Sequence, residues 1–558
     1  MKLTRLCMHE HYIVAAALLA LLLGCWSGSL LGQGLTGRLS GTVTDPSGAV
    51  VPGVTVQVTN SQTSQTRSVE ANAEGYFVFN ELLPGTYSLA INASGFKKLE
   101  QQNIVITANE RVTLPNLTLQ VGALTETVSV STEAAPVQTE SAERAGLIGS
   151  RQMMELPLKG RSYMGTAKLL PGVIDTANRE SPGWNDLVGI NINGTRAGAI
   201  NLTLDGVSSL DTGSLTGPYL APSIDAVAEV KVLLSNYQAE YGRSSGATIN
   251  TVVKSGTRDF HGSAYYFLRN EALNANEWLN NRNKLKRPRY RFNYPGYTIG
   301  GPVLLPGTSF NRNRDKLFFF WSQEFLPLTI PSSTYTLTVP TELERKGDFS
   351  QSVDLNGALI KVLDPFNNRQ QFTNNVVPSS RIDANGQKLL SLFPPPNTKG
   401  PGGTYNWTGQ SINKQPRRDS ILRLDYNITQ RSTFYIRLIQ DYQSYQGEYG
   451  LAVGLGGGNN QWPQLPIDYS IHSAGLVATL LHTFSPTMVN EFTFGVNRAK
   501  QTVDPLTQDR LAANVRSSVG LNLPQFYPAA NPLNLIPNAS FGGVTNAAGL
   551  AVEGRFPF

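Results

Sequence analysis

The stretch Ile471-His-Ser-Ala-Gly-Leu-Val-Ala-Thr-Leu-Leu-His-Thr-Phe-Ser-Pro-Thr-Met-Val-Asn-Glu-Phe-Thr-Phe-Gly-Val-Asn497 decides the fold class. It contains two candidate strands, Ile471–Phe484 and Met488–Asn497. Aromatic residues cluster in them, as Phe492 and Phe494 show. Aromatic girdles at the two interfaces of a bilayer produce this pattern in membrane strands, although a core strand of a soluble protein can produce it too. The stretch therefore predicts β-structure and is compatible with a membrane barrel.

Similar segments begin at Phe260, and a connection rich in Pro, Asn and Ser, from Gln323 to Arg418, separates them into two groups. Seven strands cannot close a barrel, because bacterial barrels have at least eight. The open edges of a smaller sheet would expose unpaired backbone groups to lipid. Residues 257–558 are therefore expected to form an incomplete transmembrane antiparallel β-barrel within a longer chain. The other five candidate strands are His261–Arg269, Arg291–Val303, Lys316–Gln323, Ser420–Ile428 and Thr433–Tyr442.

The segment before the candidate barrel, residues 151–256, has a different pattern. Short runs with the character of strands or helices alternate with joints that contain glycine. This pattern predicts a compact α+β unit. Its most informative runs are Met154-Glu-Leu-Pro-Leu-Lys-Gly-Arg-Ser-Tyr163, Asn201-Leu-Thr-Leu-Asp-Gly-Val207, Ile224-Asp-Ala-Val-Ala-Glu-Val-Lys-Val232 and Ala247-Thr-Ile-Asn-Thr-Val-Val-Lys-Ser-Gly256.

Residues 35–122 have the pattern of a small β-sandwich. Asp45-Pro-Ser-Gly48 places Asp, Pro and Gly at the positions that a type I turn favours. Val54, Val56 and Val58 lie on one face of the strand that follows. Short strands separated by turn signals every 8–12 residues are typical of sandwiches.

Residues 1–34 predict an export signal. Lys2 and Arg5 precede an apolar run, Ile13–Leu23, which is shorter than the stretch that usually spans a bilayer, although a short membrane anchor is the alternative. Cleavage near Gly32 or Gly34 and lipid modification at Cys25 are both compatible with the sequence. The chain has two cysteines, Cys7 and Cys25, and both lie in this leader, so no disulfide is expected after it.

The composition does not favour an enzyme or a nucleic-acid-binding protein. Charged residues make up 15% of the chain, and its net charge of +6 is not concentrated in one region. The histidines are not at metal-ligand spacing with Asp, Glu or Cys, so we expect no catalytic, cofactor or metal site. Gly242-Arg-Ser-Ser-Gly246 matches a hydrolase nucleophile motif, but the segment after it is strand-like where that motif needs a helix. The basic run Lys284–Arg291 is interpreted as a solvated loop beside a strand, with anionic lipid as a second option.

Three resemblances add to these patterns. Gly41–Val56, Glu74-Gly-Tyr-Phe77 and Leu83-Pro-Gly-Thr-Tyr87 resemble the carboxypeptidase regulatory-like domain. This resemblance implies a seven-stranded sandwich with a carbohydrate-binding-like fold, and no peptidase activity. The ordered motifs of residues 151–256 resemble the plug domain of TonB-dependent receptors. The barrel segment resembles the Oar-like family in the strings Pro340–Ser350, Pro378-Ser-Ser-Arg381, Phe393-Pro-Pro-Pro-Asn397 and His482–Phe492.

The connector, residues 123–150, contains a strand-like pentapeptide. Glu126, Thr127, Val128, Ser129 and Val130 resemble a TonB box, which adds as a strand to a sheet of the energising partner. A final strand of the sandwich, or a plain linker, explains the same residues. The connector is therefore a candidate partner-binding segment with two simpler alternatives.

The resemblances imply a non-enzymatic transporter of the outer membrane. In this hypothesis the sandwich and plug lie on the periplasmic side, and an inner-membrane TonB-type complex displaces the plug. The substrate would be a large or scarce nutrient, with siderophores, saccharides and peptides all open. The alternative is an adhesion or scaffold protein that uses the sandwich and the long external loops.

Overall fold

The computed structural model describes residues 35–122, 127–131, 141–176, 182–183, 186–238, 241–242, 244–282, 284, 286–331, 335–354, 356–410, 412–447, 466–485 and 488–537. The predicted leader, residues 1–34, and Glu126 of the candidate partner-binding segment lie outside the described residues.

Most of the regular structure consists of β-strands. In chain order they are β1 Gly37–Thr44, β2 Thr55–Asn60, β3 Thr66–Glu70, β4 Tyr76–Leu82, β5 Gly85–Asn92, β6 Lys98–Ile106, β7 Arg111–Thr113, β8 Leu117–Thr118, β9 Thr127–Ser131, β10 Arg144–Gly149, β11 Val173–Asp175, β12 Ile190–Ile192, β13 Ile200–Leu204, β14 Val207–Ser208, β15 Val227–Ser235, β16 Ala247–Val253, β17 His261–Asn270, β18 Arg291–Pro302, β19 Leu317–Pro331, β20 Tyr335–Leu337, β21 Trp407–Gly409, β22 Ile412–Thr429, β23 Ser432–Gly447, β24 Ile467–Ser485 and β25 Met488–Pro505.

The helices are short. The α-helices are α1 Ser150–Glu155, α2 Trp278–Arg282, α3 Ala384–Ser391, α4 Gln508–Ala513 and α5 Arg516–Val519. In the described part of the chain, none is long and apolar enough to cross a membrane. Short 3-10 helices span Lys159–Arg161, Tyr163–Leu169, Ala197–Ala199, Ile224–Ala226, Glu271–Leu273, Glu344–Lys346, Thr373–Asn375, Ser379–Arg381, Pro401–Gly403 and Pro528–Ala530.

The N-terminal strands form a two-sheet sandwich. One sheet has the order β4-β1-β7, with β8 also paired to β1, and the other has the order β3-β2-β5-β6-β9. Alternate residues of both sheets meet in one apolar core, which includes Leu39, Val56, Phe79 and Ile91. The sandwich thus contains nine strands where the resemblance implied seven. The difference arises because β7 and β8 pair in succession with β1, and because the connector supplies β9.

Residues 141–256, called the central unit below, surround a five-stranded sheet of order β10-β15-β16-β13-β14. Strand β16 is buried along its whole length, in agreement with its sequence, in which five of the seven residues are β-branched. Helix α1 and the 3-10 helices pack around this sheet, so the expected α+β unit is present. Its core includes Ile148, Met153, Tyr163, Val232 and Ile249.

Seven long strands form a second large structure, called the wall sheet below. Its order is β17-β18-β19-β22-β23-β24-β25, and every neighbouring pair is antiparallel. Among the described residues, β17 and β25 each have one strand neighbour, so the sheet is not closed. All seven strands coincide with candidate strands from the sequence.

Several wall strands extend further than the sequence suggested. Strand β19 continues to Pro331 rather than Gln323, and β22 begins at Ile412 rather than Ser420. The intervening connection is therefore shorter than expected. The extra residues are mixed polar and apolar, but their backbones continue the β19–β22 ladder as far as the pair Pro331 and Ile412. Hydropathy marks the apolar part of a strand, whereas the hydrogen-bonded ladder continues past it.

The wall sheet has two unlike ends. Residues 303–316, 430–431 and 486–487 connect strands at one end, and residues 271–290, 332–411 and 448–466 connect them at the other. The sandwich lies at the end with the short connections. There the Thr36 hydroxyl donates to Glu491 Oε2 at 2.9 Å, and the Arg258 amide donates to the Gln62 carbonyl at 3.0 Å.

Residues 335–410 form a compact structure at the long-connection end. Arg381 forms a bidentate ion pair with Asp364, in which Nη2 lies 2.7 Å from Oδ1. Hydrogen bonds from Arg381 hold the pKa of the Asp364 carboxyl below its usual range. Residues 508–536 pack against this structure through Leu392 and Lys388, and the Lys388 ammonium donates to the Gly520 carbonyl.

Candidate functional site

The inner face of the wall sheet is rich in charged residues, and the central unit covers it. Alternate residues of β19, β22 and β23 point to this face, and their side chains are almost completely buried. Such charges inside a barrel are usually paired or functional, because an unpaired buried charge is costly. The charged residues are Glu324, Arg417, Asp419, Arg423, Asp425, Arg437 and Asp441.

Arg437 joins the wall sheet to the tip of a hairpin in the central unit. Its Nε donates to Asp205 Oδ2 at 2.9 Å, and its Nη2 donates to the Leu204 carbonyl at 3.2 Å. Both side chains are fully buried. Asp205 and Gly206 form the two-residue turn between β13 and β14, and both have positive φ, at 49° and 78°. Asp-Gly is the favoured pair for such a turn, so a local preference places Asp205 opposite Arg437.

Arg423 contacts the same hairpin region from the neighbouring strand. Its Nη1 donates to the Val253 carbonyl at 2.9 Å and lies 3.9 Å from Asp205 Oδ1. The same guanidinium pairs with Asp425 on its own strand, with Nη2–Oδ1 at 2.8 Å. The Val253 amide in turn donates to Asp205 Oδ1 at 2.9 Å. Asp205 therefore accepts bonds from both units and is a hub of their interface.

A second set of contacts lies around Ala221 and Ser223. Arg417 pairs with Asp441 through two bonds of 3.0 Å, and it also donates to the Ala221 carbonyl. The Ala221 amide donates to Asp441 Oδ2 at 3.0 Å, and the Ser223 amide donates to Asp419 Oδ2 at 3.2 Å. The wall thus binds backbone groups of the central unit in both directions, as donor and as acceptor.

Arg161 makes the third contact. It donates to Asp225 within the central unit and lies 3.6 Å from Glu324 Oε2 of the wall. Its guanidinium lies 4.1 Å from the ring centroid of Phe267. Tyr265 completes this set, since its hydroxyl donates to Glu324 Oε2 at 3.0 Å. The interface therefore contains charged residues from both units.

Apolar contacts fill the space between these polar ones. Two wall glycines allow the close approach. A Cβ on Gly475 would lie 2.4 Å from Leu220, and one on Gly495 would lie 2.3 Å from Val207. Side chains at these positions would force the two units apart. One mixed cluster contains Leu204, Leu220, Ala226 and Val253 of the central unit with Phe320, Ile421 and Ile439 of the wall.

The sandwich contacts the central unit through Glu229 and Lys231 of β15. The Ala108 amide donates to Glu229 Oε1 at 2.7 Å, and Lys231 Nζ donates to the Asn109 carbonyl at 3.0 Å. Lys231 also pairs with Glu143 at 3.0 Å. Burial raises the pKa of Glu229 to about 7, since the carboxylate has lost water that its partners only partly replace.

The candidate partner-binding segment is a strand at a sheet edge. Residues Thr127 to Ser131 form β9, which pairs in parallel with β6 from Lys98 to Gln102. Strand β9 is the last in its sheet, so its other edge has no strand neighbour among the described residues. The position agrees with the alternative of a final sandwich strand, and the free edge is also the geometry that strand addition needs.

Two other sequence features are placed as expected. Ser244, at the centre of the nucleophile-like motif, donates to the Ala199 carbonyl at 2.5 Å and the Ala247 carbonyl at 2.8 Å, and strand β16 follows it. The basic run lies in the β17–β18 connection except for its last residue, Arg291, which begins β18 and pairs with Glu271 at 2.8 Å. That bond lowers the pKa of Glu271 to about 2. In the described part of the chain, no cluster of His, Cys, Asp or Glu could hold a metal ion.

The buried ion pairs were missed in the sequence. A signal was present, because Arg417, Asp419, Arg423 and Asp425 alternate with outward-facing residues of one strand. Charges with a period of two in an otherwise strand-like segment indicate one polar face. The identity of each partner on the central unit has no such local signal.

Two family models match the chain. The model described as "Outer membrane beta barrel domain" matches residues 252–555. The model described as "Carboxypeptidase regulatory-like domain" matches residues 38–120. The first match covers more than half of the chain.

Similar proteins include the TonB-dependent transporter Oar of Myxococcus xanthus, which is 28% identical over 342 residues. That match covers 57% of this chain and 29% of the relative, so the chain spans less than a third of the relative's length.

Two solved structures are also similar. The outer membrane transporter YddB of Escherichia coli has a TM-score of 0.40 at 13% identity, over 65% of this chain and 40% of that one. The siderophore receptor PirA of Pseudomonas aeruginosa has a TM-score of 0.29 at 10% identity, over 67% and 52%. The family matches determine the conclusion: this chain belongs to the outer membrane β-barrel domain family, is related to the TonB-dependent transporter Oar, and resides in the outer membrane.

Proposed function

We propose that the chain is part of an energised transporter that takes up a large or scarce nutrient across the outer membrane. In this proposal residues 151–256 of the central unit are the plug, which blocks the space enclosed by the barrel until an inner-membrane TonB-type complex displaces it. The proposed domains are the leader, 1–34, the sandwich, 35–122, the connector, 123–150, the plug, 151–256, and the barrel, 257–558. The relationship to the Oar transporter supports transport over adhesion.

One observation supports the plug role most strongly: the interface with the wall sheet is polar as well as apolar. Two ion pairs cross this interface, one between Arg437 and Asp205 and one between Arg161 and Glu324. Buried ion pairs contribute little net stability, because desolvation offsets their attraction, but they fix one arrangement of the partners. An interface of this kind fixes the plug in one closed position. Separating the plug from the wall sheet then costs less free energy than separating an equally large apolar interface.

The connector supports coupling to the energising partner. The proposed partner-binding segment is Glu126, Thr127, Val128, Ser129 and Val130, of which residues 127–130 belong to the edge strand β9. A strand from the partner can add along the outer edge of β9, or replace β6 as its neighbour. Because the connector also contains β10, which pairs with β15 of the plug, tension on β9 is transmitted to the plug through the backbone.

The substrate is proposed only as a class. Siderophores, saccharides and peptides all need energised uptake when they are too large for passive pores. The structure formed by residues 335–410 lies at the long-connection end, where an external substrate would first meet the protein.

Labelling of a buried cysteine in living cells tests the plug role. Ser223 is fully buried at the interface, so Ser223→Cys places a thiol where a membrane-impermeant maleimide has no access in the closed state. We expect labelling in energised cells and little labelling after the proton gradient is dissipated. Deletion of residues 126–130 should give the same low labelling. The protein without the introduced cysteine provides the background from Cys7 and Cys25.

Equal labelling with and without the proton gradient would contradict the proposal. A second variant, Ser47→Cys, reports an exposed sandwich position that should be labelled in both conditions whenever the reagent reaches the periplasm.

A further inference from the structure

The outer face of the wall sheet has a basic patch just beyond its apolar band. The apolar band consists of three rows across strands β22 to β25, each row being four residues that lie opposite one another in register. They are Tyr426, Phe434, Leu480 and Phe492; Leu424, Ile436, Ala478 and Phe494; and Leu422, Leu438, Leu476 and Val496. Members of these rows such as Leu438 and Val496 are 41% and 52% exposed, as expected for a surface that lipid covers.

Two rows of different character come next. The first row contains Ser420, Gln440, Ala474 and Arg498, and the second contains Arg418, Tyr442, His472 and Lys500. All of these residues except Ser420 line a groove of about 420 Å³. The rings of Tyr442 and His472 pack at a centroid distance of 4.7 Å. The groove thus combines three permanent cations, a histidine and a tyrosine hydroxyl.

The cations of this patch have no carboxylate partner among the described residues. Asp441 borders the groove but turns its carboxylate to the inner face, where it binds Arg417. The nearest outward-facing carboxylates, Asp468 and Asp504, lie two rows further along the strands. Asp468 already accepts bonds from Ser444, Gln446 and Ser470. Because Arg498 and Lys500 lie two residues apart on the same face of β25, their like charges gather without compensation, which is unfavourable unless an anion joins them.

The position of the patch along the strands indicates which leaflet of the membrane it faces. The sandwich lies at the short-connection end of the wall sheet, and the patch lies between the apolar band and the long-connection end. In outer-membrane barrels the short turns are periplasmic and the long loops are external. The patch is therefore at the height of the headgroups of the outer leaflet.

We propose that this basic patch, Arg418, Gln440, Tyr442, His472, Arg498 and Lys500, binds the phosphate-bearing headgroup of an outer-leaflet lipid. Arg498 and Lys500 donate to the phosphate oxygens, and Arg418, three strands away, contacts a second anionic group of the same headgroup. The acyl chains lie along Leu438, Leu476 and Val496 of the apolar band. The position of the groove directly above this band favours a lipid over a free anion, because a lipid occupies both surfaces at once.

Lipid retention by the purified protein tests this proposal. The full-length protein, extracted in a mild detergent, is mixed with diphosphoryl lipid A, with the same lipid after removal of its phosphates, or with inorganic phosphate. Native mass spectrometry then measures the bound fraction. We expect retention of the diphosphoryl lipid, at least about tenfold less of the dephosphorylated lipid, and weaker retention as salt increases.

Paired variants make the test specific. Arg498→Gln with Lys500→Gln should lower retention of the diphosphoryl lipid about tenfold, since two charge-assisted hydrogen bonds are lost. Both side chains face outward, so folding should be unaffected, and the melting temperature verifies this. The control is Arg312→Gln with Lys316→Gln in the short connection 303–316, which should retain lipid like the parent. Equal retention of the dephosphorylated lipid, full retention by the paired variant, or binding of inorganic phosphate that displaces the lipid would each overturn the proposal.

Discussion

The guanidinium of Arg437 in the wall sheet and the carboxylate of Asp205 in the central unit form a fully buried ion pair, with Nε–Oδ2 at 2.9 Å. Each residue also forms a hydrogen bond with a backbone group of the central unit. Arg437 donates to the Leu204 carbonyl, and Asp205 accepts from the Val253 amide. The pair therefore connects the barrel backbone to the turn that ends the β13–β14 hairpin. Changes at either residue should alter how firmly the central unit is held against the wall sheet.

Loss of the arginine should strongly weaken the interface between the central unit and the wall sheet. Arg437→Met leaves the Asp205 carboxylate buried without its main partner, and breaking such a pair costs about 3–5 kcal/mol. We expect a lower melting temperature and greater protease sensitivity of residues 141–256, measured on the purified protein.

The double variant Arg437→Met with Asp205→Asn provides the control, because it removes both charges. It should be more stable than Arg437→Met alone, since a neutral amide is cheaper to bury than an unpaired carboxylate. Equal stability of the two variants would show that the charge of Asp205 has little role in the interface.

Docking of the sandwich on the central unit should depend on pH through Glu229. Its pKa is raised from 4.5 to about 7 in the docked state, so the docked state holds the proton more tightly. Docking is therefore strongest below about pH 4.5, weakens as pH rises to 7, and is constant above that. The total change is at most about 3 kcal/mol.

Hydrogen–deuterium exchange measures this effect at the Ala108 amide, which donates to Glu229. After correction for the intrinsic pH dependence of exchange, protection of this amide should fall between pH 4.5 and 7. Glu229→Gln keeps an acceptor but cannot ionise, so it should stay protected throughout. A pH profile that is unchanged in Glu229→Gln would assign the effect to another group.

The close approach of the two units at Gly495 should tolerate no side chain. A methyl group there would lie 2.3 Å from Val207, so Gly495→Ala should cost about 1–3 kcal/mol through displacement of the hairpin. Gly149→Ala is a matched control, because its added methyl group meets no atom within 4 Å. Thermal unfolding compares the two. Equal melting temperatures would place the hairpin further from the wall than described.

The nucleophile-like serine should have a structural role only. Ser244 donates to the Ala199 and Ala247 carbonyls, so Ser244→Ala should reduce stability by about 1 kcal/mol and leave uptake intact. Growth on the transported nutrient and thermal unfolding measure the two effects. Loss of uptake with normal stability and expression would contradict this role.

Much of the fold could be predicted from the sequence because its signals are local. The β2 strand shows a strict alternation, with Val56 and Val58 buried and Thr55 exposed. The turn predicted at Asp45-Pro-Ser-Gly48 is present, with the Gly48 amide donating to the Asp45 carbonyl at 3.0 Å. Strand ends were less predictable, as β22 shows, because mixed segments such as residues 412–419 lack a hydropathy signal although they continue the ladder.

The interface could not be predicted because it depends on tertiary pairing. Nothing in the sequence around Asp205 indicates that Arg437 is its partner, since the two are far apart along the chain and meet only after both units fold. The roles of β9 were likewise undecided, because an edge strand and a partner-binding strand need the same alternation. The local sequence indicates that a segment can form a strand. Which strand it pairs with depends on the tertiary structure.

The most direct test of the proposed plug mechanism is a reversible disulfide between the central unit and the wall sheet. Ser223 Oγ and Ser322 Oγ lie 3.3 Å apart across the interface, so the double cysteine variant should form a crosslink. The matched control joins Thr479 and Thr493, whose hydroxyl oxygens are 2.9 Å apart on neighbouring wall strands. Growth on the nutrient whose use requires this gene is then measured before and after reduction. The proposed mechanism predicts that the oxidised Ser223–Ser322 variant abolishes uptake, that reduction restores it, and that the oxidised control transports normally. Normal uptake by the fully crosslinked Ser223–Ser322 variant would contradict release of the plug as the opening step.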